Sequence, residues 1–160
     1  MIDFEIRPAR AAEAATIRSM IRAERLDPFN VHWENFLVAE ANGRIIGIGQ
    51  IKPYPGAREL GSLVVAADQR KSGVGAAIIE ALIAREGAHG ASPLYLFCLA
   101  FREPYYGKFG FRSVTADDLP PALKSKYALG KFLTRLFRQR LIVMYRAADA
   151  DQIDRVAVVR

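Results

Sequence analysis

The sequence predicts an α/β fold in one domain spanning residues 1–160, with a mixed, mostly antiparallel central sheet flanked by helices. Three observations carry this expectation. Strand-like runs, alternating or continuously apolar, are interspersed with runs of helical period, as in chains that pack both element types around one core. Three strand-like runs follow one another between Phe36 and Ala66 with only short turns between them, so part of the sheet must be antiparallel. With 160 residues and 51% hydrophobic content, the chain can fill one core but not two large ones.

The elements follow in order. Ile2-Asp3-Phe4-Glu5-Ile6-Arg7 alternates apolar and polar side chains and reads as a half-buried strand ending at Pro8. Ala14, Ile17 and Ile21, with Ala15 and Met20, recur at helical spacing from Ala11 to Leu26, where Asp27-Pro28 stops the run. Phe36–Glu40 and Arg44–Ile51 flank Ala41-Asn42-Gly43, a tight-hairpin signal. After Pro53 and Pro55-Gly56, Arg58 to Ala66 is again strand-like. Gly73 to Glu86 sets Val74, Ile78 and Leu82 on one helical stripe. Leu94–Leu99 is short and wholly apolar, as a central strand buried on both faces would be. Glu103–Phe109 suits a short helix and Phe111–Thr115 a strand, and Asp117–Pro121 breaks the chain. Ala122–Arg140 has patchy helical period, and Leu141–Tyr145 closes as a strand.

Composition narrows the function classes. The single cysteine, Cys98, permits neither an internal disulfide nor a paired-cysteine zinc site, and His32 and His89 have no metal-ligand spacing, so no metal is expected. No apolar run reaches the roughly 18 residues of a membrane span, and the charged start is unlike a signal peptide. These features point to a soluble cytoplasmic protein. Charge is uneven: residues 1–118 hold 14 basic and 14 acidic side chains, while residues 119–160 hold nine and three. Between Leu119 and Ala148 there are seven bases and no acid, a pattern that favours anionic partners or serves solubility alone.

The most specific segment runs from Leu63 to Ala76, a strand followed by a basic, glycine-punctuated turn that opens a long helix. Gly73 and Gly75 allow close backbone approach, and the first N–H groups of the helix point outward at the positive end of its dipole. Arg70 and Lys71 add charge at the rim, and Ser72 can cap the helix. A pyrophosphate fits that chemistry; so does an ordinary glycine-capped turn with basic decoration. A Walker loop is excluded because Lys71-Ser72 precede the glycines, and a dinucleotide fingerprint because position 78 is Ile78.

Arg70-x-x-Gly73-x-Gly75 at a strand–helix junction, followed by a buried strand and Tyr106-Gly107-Lys108-Phe109-Gly110-Phe111, resembles the GNAT superfamily of acyl-CoA-dependent N-acetyltransferases. The resemblance runs from about Phe4 to Tyr145 and is strongest from Glu59 to Val114. It implies that acetyl-CoA is the co-substrate. It further implies that Arg70, Lys71, Ser72, Gly73, Val74, Gly75 and Ala76 cradle its pyrophosphate, and that Leu63, Val64 and Val65 offer backbone groups to the pantetheine arm. One departure stands out: many relatives carry an asparagine about seven residues before the tyrosine, where this chain has Leu99-Ala100-Phe101. A CoA contact is then missing, and the oxyanion depends chiefly on a strand N–H such as that of Val65.

Acetyl transfer to an amine requires a base, an oxyanion site and a proton for the departing thiolate. Members of the resembled family often carry a glutamate at the place of Glu59, which makes it the candidate base, directly or through water. Its structural alternative is an exposed strand carboxylate paired with Arg58 or Arg44. Tyr106, five residues before Phe111, matches the family's tyrosine near the thioester sulfur and is the candidate general acid. Its alternative is a core aromatic with a satisfied hydroxyl. Cys98 lies in an apolar strand, so an acetyl-cysteine intermediate is not expected. His32-Trp33 could line an acceptor pocket.

Residues 122–146 raise a second function class, a non-catalytic module that binds nucleic acid or anionic surfaces. Leu129, Phe132, Leu133, Leu136 and Phe137 gather on one helical face, so the simpler expectation is an amphipathic helix with that face on the sheet and its bases in solvent. Nucleic acid is then not the expected partner. An intermediate reading lets the same charge select an acidic amine acceptor. The residues leave the acceptor, the acyl chain and the oligomeric state open, a homodimer included.

Overall fold

A computed structural model describes residues 2–89 and 92–148. Gly90 and the last part of the basic C-terminal quarter, 149–160, lie outside the described residues. The strands are β1 (Glu5–Pro8), β2 (Phe36–Ala41), β3 (Arg44–Tyr54), β4 (Ala57–Val65), β5 (Leu94–Leu99), β6 (Arg112–Val114) and β7 (Leu141–Arg146), in the order β1-β2-β3-β4-β5-β7-β6. The helices are α1 (Ala14–Ala23), α2 (Val74–Ala88), α3 (Glu103–Gly107) and α4 (Pro121–Leu136). β4 pairs with β5 in parallel, while β1–β2, β2–β3, β5–β7 and β6–β7 pair antiparallel, which is the mixed sheet the sequence predicts. The chain gathers into two compact units, residues 1–52 with 60–85 and residues 53–59 with 86–160, described in turn.

In the first unit, α1 buries Ile17 and Ile21, one turn apart, against Phe36, Val38 and Ile48. The helix stops short of Leu26 because Arg25 turns left-handed (φ 53) and the Leu26 N–H reaches back to the Ile21 carbonyl at 3.1 Å. Lys52 on β3 is 1% exposed, and its Nζ donates to Asp27 at 3.1 Å and to the Phe29 carbonyl at 2.9 Å, tying the segment after α1 to the sheet. The β2–β3 turn uses Asn42 (φ 50) and Gly43 (φ 73), the twist that the Asn-Gly pair predicts. Helix α2 lies directly on β3 because Gly47 and Gly49 share one face: a Cβ on Gly47 would stand 2.8 Å from both Ile78 Cδ1 and Val74 Cγ1, and one on Gly49 2.7 Å from Ile78 Cγ2.

In the second unit, β5 runs parallel to β4 (Arg58↔Leu94, Glu59↔Tyr95) and antiparallel to β7 from Leu94↔Arg146 to Leu99↔Leu141. Helix α4 lays Leu123, fully buried, into a cluster with Ala57, Tyr95, Leu119 and Val143, and Tyr127 stacks on Phe97 at 6.0 Å. This corrects the expectation for the helix face. Leu129, Phe132, Leu133, Leu136 and Phe137 do not pack on the sheet; they are 47–76% exposed. The sheet-facing row is Leu123, Tyr127, Gly130 and Thr134, of which Gly130 sits so close to β7 that a Cβ there would be 2.9 Å from Leu141 Cδ2. No helix among the described residues is long and apolar enough to cross a membrane.

Candidate active site

In the first unit β4 ends at Val65, a 3-10 turn covers Ala67–Gln69, and Arg70–Gly73 leads into α2. Lys71 (φ 64) and Gly73 (φ 89) are both left-handed, which folds the backbone tightly before the helix starts. The first helical bond here runs from the Ala77 N–H to the Gly73 carbonyl at 3.0 Å, so the first-turn N–H groups of Val74, Gly75 and Ala76 have no acceptor within the helix. A Cβ at Gly73 would meet nothing within 4 Å, so open space lies over that opening. Backbone donors, a positive helix end, an open approach and two basic side chains are the donor set a pyrophosphate requires.

The turn is pinned from several sides. The Ser72 hydroxyl donates to the Gln69 carbonyl at 2.5 Å, and Arg70 donates to Glu24 at 2.6 Å and to the Val65 carbonyl at 3.4 Å. Arg44 pairs with Asp68 at 2.7 Å and holds its carboxyl down at about 2. Just upstream, Ser62 is left-handed (φ 51) within β4, and the fully buried Gln50 donates to its hydroxyl at 2.9 Å. That interruption of the strand precedes Leu63, Val64 and Val65, of which Val64 is buried and its neighbours partly so.

In the second unit Glu59 is 4% exposed, and both its oxygens accept from Lys126 Nζ, at 2.9 and 2.7 Å. The same ammonium lies 3.2 Å from the Tyr54 hydroxyl and 5.6 Å from the centres of the Tyr54 and Phe97 rings. The structural alternative framed from the sequence is therefore not what forms: Arg58 pairs with Glu86, Arg44 with Asp68, and Glu59 is neither exposed nor joined to either arginine. Sequence reasoning missed Lys126, which it grouped with the solvent-facing bases. Its signal was its place: three residues after Leu123 and one before Tyr127, it borders the sheet-facing row.

Tyr106 lies on α3, partly buried, with ring contacts to Tyr105 at 5.2 Å and Phe111 at 6.5 Å. Burial chiefly, with a smaller contribution from nearby Cys98, pushes its hydroxyl up to about 12, so it stays protonated at neutral pH. Cys98 is 7% exposed, its Sγ stands 3.8 Å from Met144 Sδ, and burial pushes the thiol up to about 11. It is a protonated thiol in a core strand, with no nucleophilic character at neutral pH. His32 is exposed, and Trp33 packs beside the core cluster of Ile17, Ile21 and Phe36.

Comparisons with known proteins bear on these groups. The family described as acetyltransferase (GNAT) domain matches residues 32–113, just over half the chain. An amino-acid acetyltransferase from Ralstonia nicotianae is 35% identical over 95 residues, covering 58% of this chain and 21% of that protein. Among solved structures, N-acetylglutamate synthase from Neisseria gonorrhoeae, complexed with coenzyme A and N-acetyl-glutamate, superposes with a TM-score of 0.75 at 19% identity, over 92% of this chain and 35% of that one. A GNAT family acetyltransferase from Brucella melitensis in complex with acetyl-CoA superposes with a TM-score of 0.55 at 23% identity, over 71% and 85% of the two chains. This chain thus spans about a fifth of the curated relative's length and about a third of the synthase's.

Proposed function

The chain belongs to the GNAT acetyltransferase family, and from that premise we propose that it transfers acetyl from acetyl-CoA to a primary amine by direct attack in a ternary complex. The observation that carries the reading is the left-handed Gly73 opening α2 under free space, with first-turn N–H groups that have no acceptor within the helix and with Arg70 and Lys71 beside it. Residues Arg70 to Ala76 hold the pyrophosphate, and Leu63, Val64 and Val65 give backbone groups to the pantetheine arm.

Glu59 is the base. Both of its oxygens already accept from Lys126, so it draws the first proton from the acceptor ammonium through a water rather than by contact. The freed amine forms the C–N bond at the thioester carbonyl, and the Val65 N–H steadies the oxyanion. Tyr106 donates a hydrogen bond to the sulfur as the C–S bond breaks. With its hydroxyl near 12 and a thiol near 8.5, complete transfer from Tyr106 is uphill by roughly 3.5 units, or about 5 kcal/mol. Tyr106 therefore steadies the thiolate, which collects its proton from the amide nitrogen as that nitrogen loses its second one.

An amino acid is the proposed acceptor class, supported by the amino-acid acetyltransferase likeness; an acidic one suits the bases of residues 119–148 other than Lys126, which is paired with Glu59. The cytoplasm is the proposed compartment, in keeping with a single cysteine, which forms no internal disulfide. The test is thiol release from acetyl-CoA across a panel of amino acids, polyamines and peptide N-termini. Release that depends on an amino-acid acceptor, with the N-acetyl product identified by mass, is expected. Release no faster than the acceptor-free rate for every amine would overturn the reading.

A further inference from the structure

The outward side of α4 carries a stripe of large apolar residues that stay exposed among the described residues. Leu129, Phe132, Leu133 and Leu136 are 58, 63, 47 and 65% exposed, and their spacing of three, four and seven sets them on one face. Phe137, 76% exposed, extends the stripe past the helix end. The Ala100 N–H donates to the Arg140 carbonyl at 2.9 Å, which brings the Ala100–Arg102 turn beside the α4–β7 connection and adds Phe101, 71% exposed. Two separate elements thus present exposed aromatic rings at one edge of the unit.

The charge along α4 and its connection to β7 has one sign, while the exposed Glu103 follows Phe101 by two residues. From Leu119 to Ala148 there are seven bases and no acid. Lys124, Lys131 and Arg135, spaced by seven and four, form a row along one flank of the helix. Arg138 and Arg140 follow in the connection to β7, and the Arg102 guanidinium carbon stands 5.4 Å from the centre of the Phe101 ring. Contiguous exposed apolar surface of this kind marks an interaction face.

We propose that this face docks the protein on an anionic lipid bilayer, with α4 lying in the headgroup plane and Phe132, Leu136, Phe137 and Phe101 entering the acyl boundary. Charge selects this occupant. A second copy seated face to face would set the row of bases against its own image, with no acid on the helix to answer it. A nucleic acid would satisfy the bases and leave the phenylalanines and leucines in water. An anionic bilayer answers both features, and a basic amphipathic helix with Phe and Leu on its other side is the form such contacts take. The inference goes beyond acetyl transfer and does not depend on it.

The test is co-sedimentation of the full chain with phosphatidylcholine vesicles, with and without phosphatidylglycerol. Binding to the anionic vesicles that falls with salt, and negligible binding to the neutral ones, is expected. Each basic side chain near the surface is worth roughly fivefold in partitioning, so K131E/R135E weakens binding at least twentyfold or so. F132S/L136S removes the apolar contribution and weakens it by about two orders of magnitude. All four residues are exposed, so the urea midpoint of each variant stays at the parent value and reports an intact fold. Equal binding to neutral and anionic vesicles, no binding to either, or binding unaffected by both variants would overturn the proposal. So would a dimer by light scattering that F132S/L136S disperses, or tighter binding to a random DNA duplex than to the anionic vesicles.

Discussion

Removing the Lys126 ammonium by K126M leaves the Glu59 carboxylate, 4% exposed, without the cation that contacts both its oxygens at 2.9 and 2.7 Å. Stranding one member of a buried pair costs about 3 to 5 kcal/mol. The Lys126 side chain is itself 24% exposed, so water reaches the gap and the lower figure, about 3 kcal/mol, applies. E59Q costs less, about 1 to 2 kcal/mol, because the flexible lysine can swing its charge into solvent. In K126M/E59Q no charge remains to be stranded, so the double variant is more stable than the sum of the singles requires, by a coupling of about 2 kcal/mol. Urea denaturation of the four proteins at neutral pH, at constant m, measures the cycle. Single variants within 0.5 kcal/mol or so of the parent that combine additively would show that the pair carries no such coupling.

Three other outcomes follow from the geometry. Tyr106→Phe should lower kcat by roughly a hundredfold while the dissociation constant for acetyl-CoA stays within about twofold, measured by steady-state kinetics and titration; an unchanged kcat would remove the role. Burial holds the protons of Cys98 up to about 11 and of Tyr106 up to about 12, while the unfolded chain releases them from 9.0 and 10.0, so stability present below about pH 9 is lost as pH rises to about 12. A urea midpoint that is flat across that window would contradict this. Gly47→Ala places a Cβ 2.8 Å from Ile78 and Val74 and should cost about 1 to 3 kcal/mol by displacing α2 from β3, read by thermal or urea unfolding; a parent-like midpoint would show that the helix yields freely.

The elements that the sequence places well are those whose signal is local. Asn42-Gly43 specifies its own backbone twist, the apolar run Leu94–Leu99 specifies a central strand, and Gly73 before a strong helical stripe marks the turn that the structure makes left-handed. What stays hidden is set by packing. Periodicity put the larger apolar stripe of α4 against the sheet, but the sheet takes the row with Leu123, Tyr127 and the small Gly130, whose missing Cβ lets the helix come close to Leu141. The same inversion hid Lys126, whose partner Glu59 lies 67 positions away in the chain. The left-handed Ser62 had no sequence signal, since its support comes from Gln50 across the sheet. Glu59 and Tyr106 are nominated by family spacing rather than by their own surroundings.

We propose that the loop from Arg70 to Ala76 holds the pyrophosphate of acetyl-CoA. Calorimetric titration of the full chain with acetyl-CoA tests it most directly, alongside a variant carrying aspartate in place of Gly75 at the open end of α2. The account predicts one-to-one binding at micromolar concentration in the parent and loss of that heat in the variant, with its urea midpoint recorded in parallel. No heat from acetyl-CoA in the folded parent, or equal affinity in a folded Gly75→Asp protein, would contradict it.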